Sequence, residues 1–150
     1  MGKSIKLKNN NYWDSGSVVH NKLSLKTLLN KINSSVTNYN LSIVEVTNTT
    51  SEITVLTVPI SETGIYLFTG FAAPNYYGQS GRELTTYLKH NNLNIWKNTC
   101  VFNSYIWTAE NTICAVAACA AGDTITVAVK SALAVNWSFG GGLLTITRLK

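Results

Sequence analysis

Apolar and polar residues alternate with a period of two along most of the second half of this 150-residue chain. The cleanest case is DTITVAVKS, 123–131, where Ile125, Val127 and Val129 stand against Thr124, Thr126 and Ala128. Period two sends successive side chains to opposite faces of a strand. The same reading gives strands in LSIVEVT (41–47), EITVLTV (52–58), GIYLFTGFAA (64–73), ELTTYLKHN (83–91) and LNIWKNTCVF (93–102). One or two more lie in YIWTAENTICAVAACA (105–120), broken near Glu110-Asn111, and LLTITRL (143–149) is the last. Turn-prone NTTS and HNN separate neighbouring runs, and a Gly run, GGG at 140–142, precedes the last. About eight strands with a turn signal every ten or so residues predict an all-β fold: a jelly-roll sandwich or barrel. The helices that alternate with strands in a parallel α/β sheet are missing.

A different period appears once. In LSLKTLLNKIN, Leu25, Leu28, Leu29 and Ile32 fall at i, i+3, i+4 and i+7, with Ser24 placed as an N-cap. This predicts a short helix over 23–33, marginal alone, whose Leu face packs on its own domain or on symmetry mates as a stem. Ahead of it, Asp14-Ser15-Gly16-Ser17 is a turn signal between Tyr12-Trp13 and Val18-Val19, which predicts a small hairpin. Three regions follow: a basic attachment arm over 1–21, a short helical stem and linker over 22–39, and a β-sandwich head over 40–150. Tyr12 and Trp13 stand out in an otherwise polar arm and are the candidate attachment residues.

Charge sharpens this division. The net charge is +5, and residues 1–31 hold six Lys against Asp14, so the whole excess sits there. From residue 32 onward six basic residues balance six acidic ones. A nucleic-acid binder sets its cations along a folded face, so that function is not expected. Only 13% of residues are charged, about half the usual fraction, and 17 Asn carry much of the polarity. Such a chain either exposes a neutral surface or buries much of it against its own copies, since obligate interfaces are poor in charge. The start MGKSIKLKNN has no apolar core for a secretory signal, and TICAVAACAAG (112–122) is too short to span a bilayer, so membrane insertion is not expected.

Catalytic chemistry is sparse. His20 and His90 sit in polar turns with no Cys or acid at ligand spacing, and no metal site or cofactor is expected. Glu45, Glu52, Glu62, Glu83, Glu110 and Asp123 are scattered singly, no GxSxG elbow is present, and GGG precedes neither a helix nor a Lys. An enzyme is not expected. Cys114 and Cys119 lie in an Ala/Val run and read as buried thiols, and Cys100 completes an odd count. One loop looks suited to binding: Ala72–Glu83, containing PNYYGQSGRE. There Tyr76 and Tyr77 can stack on sugars, while Gln79 and Arg82 donate hydrogen bonds. The alternative is that these rings cover a neighbouring subunit. Trp96, Tyr105 and Trp107 form a second aromatic group, read as core or interface.

Two resemblances join these observations. Gly64, Tyr66 and Phe68, then Gly122, Asp123, Ile125 and Val127, then Phe139, Gly141, Leu143 and Ile146, resemble the pattern of the complement-head and tumour necrosis factor jelly rolls. The likeness runs from about residue 53 to the end. It implies a homotrimer whose inner sheets pack about a three-fold axis, with the last strand in the core. The calcium-site acids of some relatives have no counterpart, so no metal is carried over. The segment SIKLKNNNYWDSGSVVHNKLSLKTLLN (4–30) is similar to the starts of bacteriophage tail- or fibre-associated proteins. Together they imply a trimeric phage fibre on the virion, made in the bacterial cytoplasm, joined to other virion proteins by its arm and binding a host-surface polysaccharide through its head. The alternatives are a capsid or head decoration protein without a receptor role, and a cellular lectin-like module.

Overall fold

A computed structural model describes residues 5–6, 12–13, 36–76, 82–102 and 108–149. The chain divides into two compact units, Met1–Ser35 and Val36–Lys150. In the first, β1 (Ile5–Lys6) pairs antiparallel with β2 (Tyr12–Trp13). Tyr12-Trp13 thus pairs backward with Ile5-Lys6, whereas the sequence pattern set it against Val18-Val19. Those two residues and the expected helix over 23–33 lie outside the described residues.

The second unit contains β3 (Val36–Leu41), β4 (Val44–Thr49), β5 (Ile53–Pro59), β6 (Gly64–Tyr76), β7 (Arg82–His90), β8 (Leu93–Phe102), β9 (Asn111–Cys119), β10 (Thr124–Ser131) and β11 (Val135–Arg148). All pairings are antiparallel. One sheet has the order β5-β10-β7-β8; the other has β3-β11-β6-β9, with β4 also on β11. β3 and β4 lie along successive halves of β11, pairing with 142–147 and 135–139 respectively. Taken as one interrupted strand A, they give eight strands A to H in sheets A-H-C-F and B-G-D-E, which is the jelly roll the alternation predicts.

Alternation fixes the core. Trp137, Phe139, Leu144 and Ile146 of β11, Phe68 of β6 and Ile113 of β9 point inward from one sheet. Leu84 and Leu88 of β7, Phe102 of β8 and Ile125, Val127 and Val129 of β10 meet them from the other. One polar link crosses this interior: Asn111 Nδ2 donates to Thr86 Oγ1 at 2.9 Å, and Cys100 Sγ donates to Asn111 Oδ1 at 2.7 Å. Asn111 and Thr86 are fully buried, so a slip in sheet alignment would strand both groups.

Three strands run beyond their sequence boundaries. β3 begins at Val36, inside the expected linker. β6 continues to Tyr76, taking Ala72–Tyr76 from the expected loop; past the β9 ladder, which ends at Ala72, Ala109 N still donates to Pro74 O at 3.1 Å and Asn75 bridges Thr108. β11 begins at Val135, eight residues ahead of the expected Leu143, and passes through the Gly run. There it bulges between Phe139 and Gly142 relative to β6, with Gly141 at φ +94°. A Cβ on Gly142 would lie 2.2 Å from Phe71 O and 3.1 Å from Ala72 Cα. The Gly run thus permits a close approach between β11 and β6 of one chain. Replacing Gly142 with Ala forces the central strand pair apart and lowers stability by about 3 kcal/mol. Gly122→Ala is the control: its φ is +93° but nothing lies within 4 Å of an added Cβ, so about 1 kcal/mol of backbone strain is expected. Denaturant unfolding of the two variants checks the difference; equal losses would contradict it.

Candidate functional site

The two sheets differ sharply on the faces turned away from the core. On the B-G-D-E sheet the outward positions include Glu83, Thr85, Tyr87 and Lys89 of β7, Lys97 and Thr99 of β8 and Thr126 and Lys130 of β10. Thr85 and Thr99 hydrogen-bond at 2.8 Å, and Lys89 pairs with Glu52 while lying 5.5 Å from the centre of the Tyr87 ring. That is an ordinary solvated surface.

The outward face of the A-H-C-F sheet is poor in charge: apolar side chains stand among Asn and Thr, and Glu45 of β4 is its single charged position among the described residues. Its register aligns the outward side chains in rows: Asn40-Leu143-Phe71-Thr112, Asn38-Thr145-Thr69-Cys114 and Val36-Thr147-Leu67-Val116, with Ile65 beside Ala118 at the end. None of these residues is charged. Val116 is 61% exposed, Phe71 41% and Ile65 40%. The signal was in the sequence: GIYLFTGFAA and TICAVAACA are nearly continuous apolar runs, as strands buried on both faces require, whereas DTITVAVKS alternates. Alternation on β9 also corrects the reading of the thiols. Cys119 is buried and Cys100 half-buried, but Cys114 points outward and is exposed.

A second cluster lies where the β7–β8 and β9–β10 turns meet. Asp123 Oδ1 accepts from Asn91 Nδ2 at 2.7 Å; Asp123 Oδ2 accepts from Ala120 N at 2.7 Å and lies 2.6 Å from His90 Nε2. Asn91 Oδ1 in turn accepts from Thr124 N at 2.8 Å. The Gly-Asp turn is thereby bolted to the His-Asn-Asn turn. His90 is not the solitary loop histidine its neighbours in sequence suggest. Residues 33 positions apart meet because both turns cap the same end of the sandwich, and Cys119 joins them, with the three potential ligand atoms within 4.8 Å of one another. The hydrogen bonds from Asn91, from Ala120 N–H and from His90 hold the Asp123 carboxyl down at about 2. Burial, and then the Asp123 charge, pushes the Cys119 thiol up.

The sequence-predicted binding loop is placed only at its ends. Tyr76 is the last residue of β6, its backbone paired with Trp137, and Arg82 opens β7 opposite Phe102. Tyr77 and Gln79 lie outside the described residues, as do Tyr105 and Trp107; Trp96 packs half-buried against the core. The backbones of Tyr12 and Trp13 form β2.

No protein-family model matches the chain, and no curated protein matches it. Solved structures do. The structure of infectious bursal disease virus, Gx strain, aligns with TM-score 0.54 at 10% identity over 75% of this chain and 32% of that one. The VP2 subviral particle of the same virus aligns with TM-score 0.52 at 10% identity over the same shares. Murine APRIL aligns with TM-score 0.50 at 16% identity over 75% of this chain and all of that one. The chain spans about a third of the length of the viral chains it matches. At these identities the likeness establishes the fold alone, a jelly roll.

The Asp123 clamp makes a pH prediction. A carboxyl whose pKa is lowered on folding adds stability above its unfolded value near 3.8, and that stability is lost as pH falls from there toward 2. Wild type in chelator should therefore lose stability more steeply between pH 4 and pH 2 than Asp123→Asn does. Thermal melts across that window measure it; parallel curves would show that the clamp contributes nothing.

Proposed function

We propose that this chain is a non-enzymatic virion protein, a bacteriophage fibre subunit whose jelly-roll heads assemble as a homotrimer. The observation that carries the reading is the outer face of the A-H-C-F sheet, which exposes large apolar side chains and holds a single charge, Glu45, among the described residues. Burying it against two other copies removes exposed Phe71, Val116, Ile65 and Val36 from water, at about 25 cal/mol per Å² of apolar area. It also accounts for the low overall charge and for a last strand, β11, placed at the centre of that sheet. The basic segment over 1–21, with Tyr12 and Trp13, is the attachment arm to other virion proteins. The segment from Tyr76 through Tyr77 and Gln79 to Arg82 joins two strands of the rigid head, the setting in which binding residues concentrate, and takes a host-surface polysaccharide. Three weak sites on one trimer reach useful strength by avidity.

The likeness to a virus particle protein favours a second reading, a head decoration protein with the same trimeric head and no receptor. Adsorption separates the two. In the fibre reading, replacing Tyr76 and Tyr77 with Ala leaves the trimer intact and lowers particle adsorption to host cells at least tenfold. Unchanged adsorption with an intact trimer selects decoration.

Assembly is tested first. Light scattering at micromolar concentration should give about three times 16.4 kDa. Val116→Asp places a carboxylate on the exposed face, where it is harmless to a lone head but must be desolvated in the trimer. The expected product is a folded monomer of about 16.4 kDa with near-native melting. A wild-type monomer, or a trimer that tolerates this substitution, overturns the reading.

A further inference from the structure

The cluster of His90, Cys119 and Asp123 has more donors than a turn clamp uses. Asn91 and Ala120 N–H already fasten the two turns through Asp123, and neither needs the thiol. We infer that His90 Nε2, Cys119 Sγ and one Asp123 carboxylate oxygen form a structural site for a zinc-class transition metal ion at this end of the head.

The geometry comes first. Metal bonds of about 2.0–2.3 Å at tetrahedral angles set donor atoms roughly 3.3–3.8 Å apart. The three ligand atoms here lie within 4.8 Å of one another, and the closest pair, His90 Nε2 and Asp123 Oδ2, needs only to part from 2.6 Å. They come from the ends of β7 and β9 and from the turn before β10, so one ion ties three segments that the sequence scatters. The donors are one imidazole, one thiolate and one carboxylate. A thiolate disfavours calcium and magnesium, which take oxygen, and the mixed set suits zinc.

Accessibility and support agree. Cys119 is only 4% exposed, which shields the metal–sulfur bond, while the side chains of His90 and Asp123 are 21% and 19% exposed and leave an open side for entry and for a water as fourth ligand. Ligating carboxylates are characteristically hydrogen-bonded by outer-shell partners. Asp123 has two already, at 2.7 Å each, and Asn91 is itself held by Thr124 N at 2.8 Å. Without a cation, a thiol and a carboxylate side by side repel once both ionise; a divalent ion removes that conflict. On binding, the Cys119 thiol releases its proton to solvent, the sulfur–metal bond forms, and no electron is transferred.

Cobalt(II) reports on such a site directly. Titrating Co²⁺ into the full chain should give one thiolate-to-cobalt charge-transfer band per chain together with the visible bands of a tetrahedral ion, and Zn²⁺ should displace both. Cys119→Ser should abolish the charge-transfer band, and His90→Gln and Asp123→Asn should each weaken binding at least tenfold. Cys100→Ser and Cys114→Ser, whose thiols lie elsewhere, should leave it unchanged. Zn²⁺ should also raise the melting temperature of wild type and not of His90→Gln. Absence of the band in folded wild type, its survival in Cys119→Ser, or its loss in Cys114→Ser would each overturn the assignment. Should Cys119→Ser fail to fold, His90→Gln and Asp123→Asn decide, since binding undiminished in both would equally overturn it.

Discussion

A sheet with large apolar side chains exposed on its outer face as well as buried on its inner one cannot complete its burial within one chain. The A-H-C-F sheet spends one face on the core, where Phe68, Ile113, Trp137, Phe139 and Leu144 are essentially inaccessible to water. Its other face carries Phe71, Leu67, Ile65 and Val116 among Asn and Thr side chains, with Glu45 the single charge there among the described residues. The facing B-G-D-E sheet shows what the same fold does when only one face is to be covered: Glu83, Lys89, Lys97 and Lys130 point to solvent. One chain thus contains both solutions, and the contrast carries the proposal that the first sheet is completed by other copies.

The remaining features serve to hold that sheet in place. β11 lies between β3 and β4 on one side and β6 on the other, and reaches β6 closely enough only because Gly142 and Gly70 have no side chain. The Asn111–Thr86–Cys100 link sets the two sheets in one alignment. At one end, Asp123 fastens the Gly-Asp turn to the His-Asn-Asn turn, and His90 and Cys119 complete a donor set beside it.

Fold class was legible in the sequence because a period of two survives any context, and β5, β7, β8 and β10 fall close to where the alternation puts them. Boundaries were less so. Gly140–Gly142 and Pro74 read as loop residues, yet both are strand positions: a bulge accommodates the Gly run, and Pro74 keeps its carbonyl bonded to Ala109 N. Sites suffered more. Cys114 and Cys119 look alike in an Ala/Val run, and only the register of β9 on β6 sends one outward and the other inward. His90 and Asp123 are 33 residues apart and become neighbours through topology, which no local spacing rule detects. The apolar side chains of the outer face were visible as two nearly continuous apolar runs, but as a property of strands rather than of any one residue.

Cys114 offers the most direct measurement of whether that face is covered. Its thiol is exposed on a single head, in the row with Thr69 and Thr145. Maleimide labelling of native protein at micromolar concentration, resolved by peptide mass, should find Cys114 protected, and should find it reactive in Val116→Asp. Alkylation of Cys114 in the native wild type at the rate of a free surface thiol would mean that the face is open to water and that the proposed assembly is wrong.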